Sequence, residues 1–226
     1  MKKTAIPTII LAFLFSSLNA EEVKYTNNSL ARLSYITGNA YIQRASGLAY
    51  EEAVVNLPIA EGDRLGTTDG RVEIYLGKGN YFRLDYNTKI DFLSLPKKED
   101  DLIQICIWGG NTYLSVETLE REKGIEIHTS GVSLYILDEG LYRIDVRENT
   151  ETEILVFNGL VEAAGETGSS FIKNAQKLEA VEGRIPSHPS NFISAVDDSF
   201  DEWSESRDFQ IWKRLAKRYL PEELED

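Results

Sequence analysis

From about residue 30 to residue 181, polar and apolar residues alternate, and this period of two constrains the fold more than any other feature of the sequence. The alternation is clearest over residues 71–76, 124–128 and 141–146. Successive side chains of a β-strand point to opposite faces, so the pattern predicts strands that bury one face. Clusters of glycine and asparagine, which favour the positive φ angles of tight turns, separate these segments. The clusters lie at 37–39, 68–70, 77–80, 109–111, 138–140 and 158–159.

Many short strands with regular turns predict an all-β protein, either a β-sandwich or a β-solenoid of short antiparallel strands. The sequence also resembles itself, because residues 70–85 are similar to residues 131–145 and each stretch ends on an Arg-x-Asp triplet. Internal similarity of this kind is typical of stacked or pseudo-symmetric β units. We therefore expect one β-domain over residues 31–181, composed of two related halves at about 31–95 and 102–181.

Residues 1–20 have the three-part pattern of a secretory signal peptide. Two lysines give a positive start, an apolar run follows over residues 5–18, and small residues lead to Ala20. The run is shorter than the ~20 apolar residues that a membrane-spanning helix needs. We therefore expect an exported protein, periplasmic or secreted, that is cleaved after Ala20 and keeps no stable membrane span. Residues 21–30 would then form an N-terminal extension.

A linker and a helical tail are expected after the β-domain. Residues 182–198 contain two prolines and a glycine, which is typical of a linker or surface loop. Over residues 199–226 the period becomes helical, with Ser199 and Glu202 spaced as a capping box and an acidic end after the helix. The sequence leaves open whether this tail packs on the β-domain or reaches another protein.

The formal net charge of −13 limits the partners that the protein can bind. Nucleic acids and anionic membrane surfaces select basic patches, so neither is expected as a partner. Cys106 is the only cysteine, which leaves no internal disulfide. Its place in the apolar run at 102–108 predicts a small residue of the core.

Four short stretches of the sequence resemble a known family, the FecR domain. They are residues 38–42, the Asn-Leu-Pro-Ile run at 56–59, the Gly-Asp-Arg-Leu-Gly-Thr run at 62–67 and residues 70–74. The resemblance is good over about residues 31–95 and weaker beyond them. The family-motif residues are Gly38, Gly62, Asp63, Arg64, Gly70, Arg83, Asp85 and Asn87.

The resemblance implies an extracytoplasmic, β-rich domain that serves in protein contact or sensing. In the regulator that gives the family its name, the domain receives a signal from an outer-membrane iron-siderophore or citrate receptor and passes it to a cytoplasmic sigma factor. That regulator needs a cytoplasmic anti-sigma segment and a transmembrane helix, and we expect neither here because a signal peptide opens the chain. We therefore expect this protein to have a FecR-like domain but not to control a sigma factor directly.

The polar motif residues have ordinary structural uses. Asp63 suits a tight turn, where its carboxylate would cap backbone amides, and Arg64 would pair locally. Arg83 and Asp85 point to the same face of one strand and are expected to pair with each other. These residues are therefore predicted to be structural.

We expect no catalytic, cofactor-binding or metal-binding site, and hence no enzyme and no cofactor. His128 and His188 lie sixty residues apart and share no ligand spacing. The favoured function is an exported, non-catalytic FecR-like protein that binds envelope proteins or senses a signal in the bacterial cell envelope.

Two alternatives stay open at this point. Exposed tyrosines that stack on sugars would make the protein a carbohydrate- or peptidoglycan-binding module. Two carboxylates about 5–9.5 Å apart beside a cleft would make it a secreted glycoside-active enzyme, although a chain with 37 acidic residues always offers such pairs. The candidate stacking residues are Tyr35, Tyr41, Tyr50, Tyr81 and Tyr113.

Overall fold

The computed structural model describes residues 31–95, 102–119, 124–147, 151–182, 184, 187–193 and 198–219. The expected signal peptide, the N-terminal extension at 21–30 and the acidic end after residue 219 lie outside the described residues. The strands are β1 Arg32–Thr37, β2 Ala40–Gln43, β3 Tyr50–Glu52, β4 Arg64–Thr67, β5 Arg71–Gly77, β6 Asn80–Leu84, β7 Lys89–Ser94, β8 Ile103–Val116, β9 Ile125–His128, β10 Ser133–Ile136, β11 Gly140–Val146, β12 Glu151–Asn158, β13 Leu160–Gly165, β14 Gly168–Lys173, β15 Gln176–Val181 and β16 Ser190–Asn191, and the helix is α1 Ser199–Tyr219.

The sixteen strands of the described residues form one continuous sheet, which β8 divides into two layers. Layer A consists of β1, β5, β6, the C-terminal half of β8, β11, β12, β15 and β16. Layer B consists of β2, β3, β4, β7, the N-terminal half of β8, β9, β10, β13 and β14. Among the described residues, only the pairing of β8 with β9 is parallel. The prediction of an all-β fold of short antiparallel strands with a C-terminal helix is confirmed, and two antiparallel layers around one core favour the sandwich over the solenoid.

The strand β8 is 14 residues long and crosses from layer B to layer A. Its residues 103–109 pair with β7 and β9, and its residues 110–116 pair with β6 and β11. The predicted turn at 109–111 is therefore wrong, because the two glycines bend a strand that continues. Gly110 has a φ of 98°, and a Cβ there would lie 2.5 Å from the Cα of Thr88. Only glycine fits such a close approach of two backbones.

One hydrophobic core is shared by the two layers and is built from alternate residues of their strands. In β8, Ile103, Ile105 and Ile107 are buried in this core. Cys106 alternates to the opposite face, where it is half-buried. The predicted place of Cys106 in the core is therefore wrong, because the alternation that buries its neighbours turns it outward.

The strands β6 and β11 flank β8 in layer A. Arg83 of β6 and Arg143 of β11 both lie opposite Tyr113 of β8. The two Arg-x-Asp triplets of the internal repeat thus occupy matching places on the two sides of β8. The upstream part of the repeat does not match in this way, since it forms β5 in layer A but β10 in layer B.

The helix α1 is a single helix of 21 residues, and it lies on the outer face of layer A. Its N-terminus is capped one residue earlier than the sequence predicts. Asp198 accepts hydrogen bonds from the amides of Phe200 and Asp201, and Asp201 accepts one from the amide of Asp198. Ser199, the predicted cap, instead accepts hydrogen bonds from Arg71. The tail therefore packs on the β-domain.

The predicted linker at 182–198 contributes the two residues of β16, which pair with β15 at the edge of layer A. In the described part of the chain, no helix combines the length and the apolar character that crossing a membrane requires.

Candidate functional site

A row of polar side chains crosses the outer face of layer A beneath α1. Glu73 on β5, Arg83 on β6, Tyr113 on β8 and Arg143 on β11 are in register on four adjacent strands. The side chains of Glu73 and Arg83 are 0% exposed. Charged groups at this depth persist only when hydrogen bonds replace their lost hydration. The buried charges of this row therefore depend on hydrogen bonds from neighbouring side chains and from α1.

Glu73 lies at the centre of the first charged cluster. Its carboxylate accepts hydrogen bonds from Arg83 at 3.1 Å, from Arg207 at 3.0 and 3.2 Å, and from the Ser34 hydroxyl at 2.9 Å. Burial alone would raise the pKa of Glu73, but Arg207 and Arg83 outweigh this and hold the pKa below its ordinary value. Glu73 therefore stays ionised and joins β1, β5 and β6 to the helix.

Arg83 connects the sheet to two successive turns of α1. Its guanidinium donates to the Ser204 carbonyl at 3.2 Å and to the Ser204 hydroxyl at 2.8 Å. It also donates to Asp208 at 2.5 Å. With Glu73 as its partner on the neighbouring strand, Arg83 donates from all three nitrogens of its guanidinium. Asp85 pairs with Arg71 at 2.6 Å, so the expected pairing of Arg83 with Asp85 does not form.

Arg143 is the centre of a second cluster, in which three carboxylates surround one guanidinium. It donates to Asp145 at 3.0 Å, to Asp198 at 2.7 Å and to Asp201 at 2.5 Å. The Tyr113 hydroxyl also donates to Asp201, at 2.6 Å. Burial raises the pKa of Asp145 to about 6 against the attraction of Arg143. Burial and the hydrogen bond to Asp201 likewise raise the pKa of Tyr113.

Arg71 fixes the start of α1. Its guanidinium donates to the carbonyl and the hydroxyl of Ser199, at 2.9 and 2.8 Å. It also stacks over the Tyr86 ring, with 4.4 Å between the guanidinium carbon and the ring centroid. Together, Arg71, Arg83 and Arg143 hold the first two to three turns of the helix on the sheet.

The outward side of α1 is aromatic and exposed. Phe209 and Trp212 are 56% and 65% exposed, and their rings stack with centroids 6.2 Å apart. Trp212 also borders a cleft of about 480 Å³ between the helix and the start of β11, beside Leu141 and Leu215. A helix that is fixed on one face and presents two exposed aromatic rings elsewhere offers a surface of the kind that binds proteins.

The flank of α1 that faces β1 carries a second cleft, of about 700 Å³. Tyr35 and Trp203 line it, with ring centroids 6.4 Å apart. Arg207 lies over the Tyr35 ring at 3.9 Å. Further bases line the same cleft towards the C-terminus of α1. They are Lys213, Arg214 and Lys217.

The family-motif residues of the first half divide between turns and ion pairs. Asp63 accepts hydrogen bonds from the amides of Ala45 and Ala60, at 3.1 and 2.9 Å, and from Arg44 at 2.7 Å. Arg64 pairs with Asp91 on the neighbouring strand β7 through two hydrogen bonds of 2.5 and 2.6 Å. Backbone turns with positive φ hold Gly38, Gly62 and Asn87, and the backbone of Asn39 and Thr37 approaches Gly70 too closely for a Cβ.

The five tyrosines that the sequence offers as stacking platforms fall into different environments. Tyr113 is buried and Tyr81 is half-buried, so neither presents an open ring. Tyr35 lies beneath Arg207. Tyr41 and Tyr50 are exposed on the outer face of layer B. Tyr113 is therefore excluded as a stacking platform of the glycan-binding alternative, because α1 covers it, whereas Tyr81 is only partly covered.

Trp108 joins the two exposed tyrosines on layer B. It is 58% exposed, and Arg64 lies 5.7 Å from the centroid of its ring. Tyr50 on β3 lies near the same arginine and helps to hold its pKa above the ordinary value. Layer B therefore carries a partly open aromatic surface around the ion pair of Arg64 and Asp91.

The histidines and the cysteine lie apart from the helix. His128 contacts the Ser133 hydroxyl at 3.0 Å and Glu126 at 3.4 Å, while His188 is exposed. Burial raises the pKa of the Cys106 thiol. Among the described residues, no group of three or more His, Cys, Asp or Glu side chains is placed to hold a metal ion.

No protein-family model matches the sequence, and comparison with curated proteins gives no match either. Two crystal structures of candidate anti-sigma factors from Parabacteroides distasonis are similar in fold to part of the chain. The first has a TM-score of 0.49 at 14% sequence identity, and the second has a TM-score of 0.48 at 12%. Each match covers 57% of this chain and 59% of the other, so this chain spans about three fifths of the length of these neighbours.

Proposed function

We propose that this chain is an exported, non-catalytic protein that binds another protein in the bacterial cell envelope, as a FecR-like module that takes part in signal sensing. The observation that carries the proposal is the pair of exposed, stacked aromatic rings of Phe209 and Trp212 on a helix whose opposite face is fixed to the sheet. Aromatic side chains are the residues that most often dominate protein contacts. The signal-peptide pattern of residues 1–20 supports export, and the motif residues of the first half support the FecR-like module.

The placement of the perturbed ionisable groups supports a role in binding rather than in catalysis. Glu73, Tyr113 and Asp145 have shifted pKa values, and such shifts often mark catalytic groups. Here α1 covers Glu73 and Tyr113, and Arg143 holds Asp145. A substrate would have to displace the helix to reach the row, so the ion pairs serve to position α1.

Proximity crosslinking in the native envelope, followed by mass spectrometry, tests the proposed function. The full chain carrying Phe209→Ala and Trp212→Ala should lose a partner protein that the unchanged chain captures consistently. Phe171→Ala is the matched control, because Phe171 is also exposed, at 52%, but lies on β14 of layer B. Capture of the same protein by the double variant, or of no consistent protein by any form, would contradict the proposal.

Export has its own test. Fractionation of cells that express the full chain should place it in the periplasm or the medium, with Glu21 as the first residue of the mature protein. An intact N-terminus in the cytoplasmic fraction would refute this part of the proposal.

A second candidate function, glycan binding, is favoured by the aromatic surface of layer B. Tyr41, Tyr50 and Trp108 are exposed beside polar groups that can hydrogen-bond sugar hydroxyls. Sedimentation with insoluble peptidoglycan should then deplete the unchanged protein but not the Tyr50→Ala, Trp108→Ala variant. If both stay in solution, this surface does not bind the polymer.

A further inference from the structure

We infer that the cleft between β1 and α1 binds an acidic segment of the partner protein. The inference rests on the proposed function and names the chemistry of the partner. It concerns a different surface from the aromatic pair that carries that function.

The bases of the cleft are available to a ligand. Lys213, Arg214 and Lys217 are exposed, and within the described part of the chain none of the three has a carboxylate at ion-pair distance. Arg207, nearer to the N-terminus of the helix, is already held by Glu73. Three positive charges side by side, without a partner among the described carboxylates, repel one another, and an anionic ligand would offset that repulsion.

The remainder of the molecule directs an anion to this place. The chain carries a net charge of −13, so most of its surface repels an acidic ligand. A concave site with low-dielectric walls focuses the field of the charges that line it. The bases beside Tyr35 and Trp203 therefore form a local positive field on an acidic protein.

The shape of the cleft excludes a flat anionic surface. Its volume of about 700 Å³ lies within the range of ligand-binding clefts. Arg207 lines it, yet its side chain is only 12% exposed, so a bilayer surface cannot reach the floor. An inserted chain can reach it, and the rings of Tyr35 and Trp203 offer that chain apolar contact.

The spacing of the bases suits an extended peptide. From Lys213 to Lys217 the helix rises by about 6 Å, at ~1.5 Å per residue. Side chains on one face of an extended peptide recur every ~6.6–6.8 Å, so two acidic side chains would lie along the three exposed bases. Gln210, which also lines the cleft, can hydrogen-bond the peptide backbone.

Fluorescence anisotropy with a defined probe tests this inference. The probe is a labelled octapeptide that alternates Glu with Tyr, and the matched probe carries Gln in place of each Glu. The full mature chain should bind the Glu probe saturably and the Gln probe at least about tenfold more weakly, because the ion pairs are lost. Binding of the Glu probe should also weaken as salt is raised.

Two sets of charge-reversal variants locate the binding. Lys213→Glu, Arg214→Glu and Lys217→Glu together should weaken binding by about tenfold or more, since attraction becomes repulsion. The matched control reverses three exposed bases elsewhere and should change binding by less than about threefold. Replacement of the same cleft bases by Gln serves as a milder variant if the reversed helix is less stable. The control set is Lys89→Glu, Lys173→Glu and Arg184→Glu.

Three outcomes would overturn the inference. Equal weakening by the cleft and control sets would show that only net charge matters. Absence of saturable binding to the Glu probe would remove the ligand chemistry. Binding of polygalacturonate or of phosphatidylglycerol vesicles, with none of the peptide, would assign the cleft to an anionic glycan or to a membrane. If crosslinking still captures a partner in any of these cases, the proposed function stands and only the inference about the cleft fails.

Discussion

Replacement of Arg83 by Met should test whether buried charges hold α1 on the sheet. Arg83 is fully buried and donates to Glu73, to Ser204 twice and to Asp208. Removal of one partner of a buried pair costs about 3–5 kcal/mol. Glu73 keeps Arg207 and Ser34 as donors, and Asp208 is 42% exposed and can be rehydrated, so we expect the lower end of that range. The free energy of unfolding should therefore fall by about 3 kcal/mol.

Equilibrium unfolding in urea, followed by tryptophan fluorescence and circular dichroism, measures this loss. Lys177→Met is the matched control, because it removes a surface pair with Glu153 in which the lysine is 35% exposed. The control should cost less than about 1 kcal/mol. An Arg83→Met variant that loses no more than the control would refute the reasoning.

Double-mutant cycles separate the two carboxylates that Arg83 holds. The coupling energy of Arg83→Met with Glu73→Gln should reach about 2 kcal/mol, since both side chains are fully buried. The coupling with Asp208→Asn should stay below about 1 kcal/mol, because that carboxylate is partly exposed and screened by water. The reverse order of the two energies would show that burial does not set the strength of these pairs.

Three further predictions concern a glycine, a carboxylate and the thiol. Gly110→Ala should lower the free energy of unfolding by more than about 2 kcal/mol, because the φ of Gly110 is positive and a Cβ there would meet Thr88. Gly109→Ala should cost less, since a Cβ at Gly109 meets nothing within 4 Å and only backbone preference changes. Urea unfolding midpoints compare the two variants. Because the folded-state pKa of Asp145 is raised from 3.8 to about 6, its contribution to stability should be present below pH 3.8 and be lost as the pH rises towards 6. Asp145→Asn should abolish this part of the pH dependence of the urea midpoint. A pH profile that the substitution leaves unchanged would contradict the raised pKa. Cys106 should react several-fold more slowly with iodoacetamide than the urea-unfolded chain does at the same pH, since burial raises its thiol pKa and limits access; equal rates by mass spectrometry would argue against this.

The strands were predictable because their signal is local. A period of two in side-chain direction follows directly from the geometry of one strand, so the strands at residues 71–76 and 141–146 could be predicted without knowledge of their partners. Burial itself does not alternate in β5, because α1 covers Glu73 on its outer face. The turn at 109–111 failed because Gly-Gly-Asn suits a hairpin and a bent strand equally well. Only the pairing of β8 with strands of both layers distinguishes the two, and pairing is not a local property.

The charged row was only partly predictable, for the same physical reason. The internal repeat marked Arg83 and Arg143 as related, and the two residues do flank Tyr113. Their ionic partners could not be inferred, since Asp208 lies on a helix whose position depends on tertiary packing. The pairing of Arg83 with Asp85 was expected from proximity in one strand, but Arg71 on β5 holds Asp85 instead.

The polar character of the interface beneath α1 explains how a single helix can present a defined surface. Phe200 and Ile211 are its buried apolar side chains among the described residues, and apolar contacts alone tolerate sliding and rotation of a helix. Arg71, Arg83 and Arg143 require acceptors at fixed places, because a misplaced helix would leave buried charges without partners. The ion pairs therefore select one register and one rotation of α1. That choice points the aromatic pair outward and places the three bases, which no described carboxylate pairs with, in the cleft beside β1. The buried row and the two proposed contact surfaces therefore depend on each other.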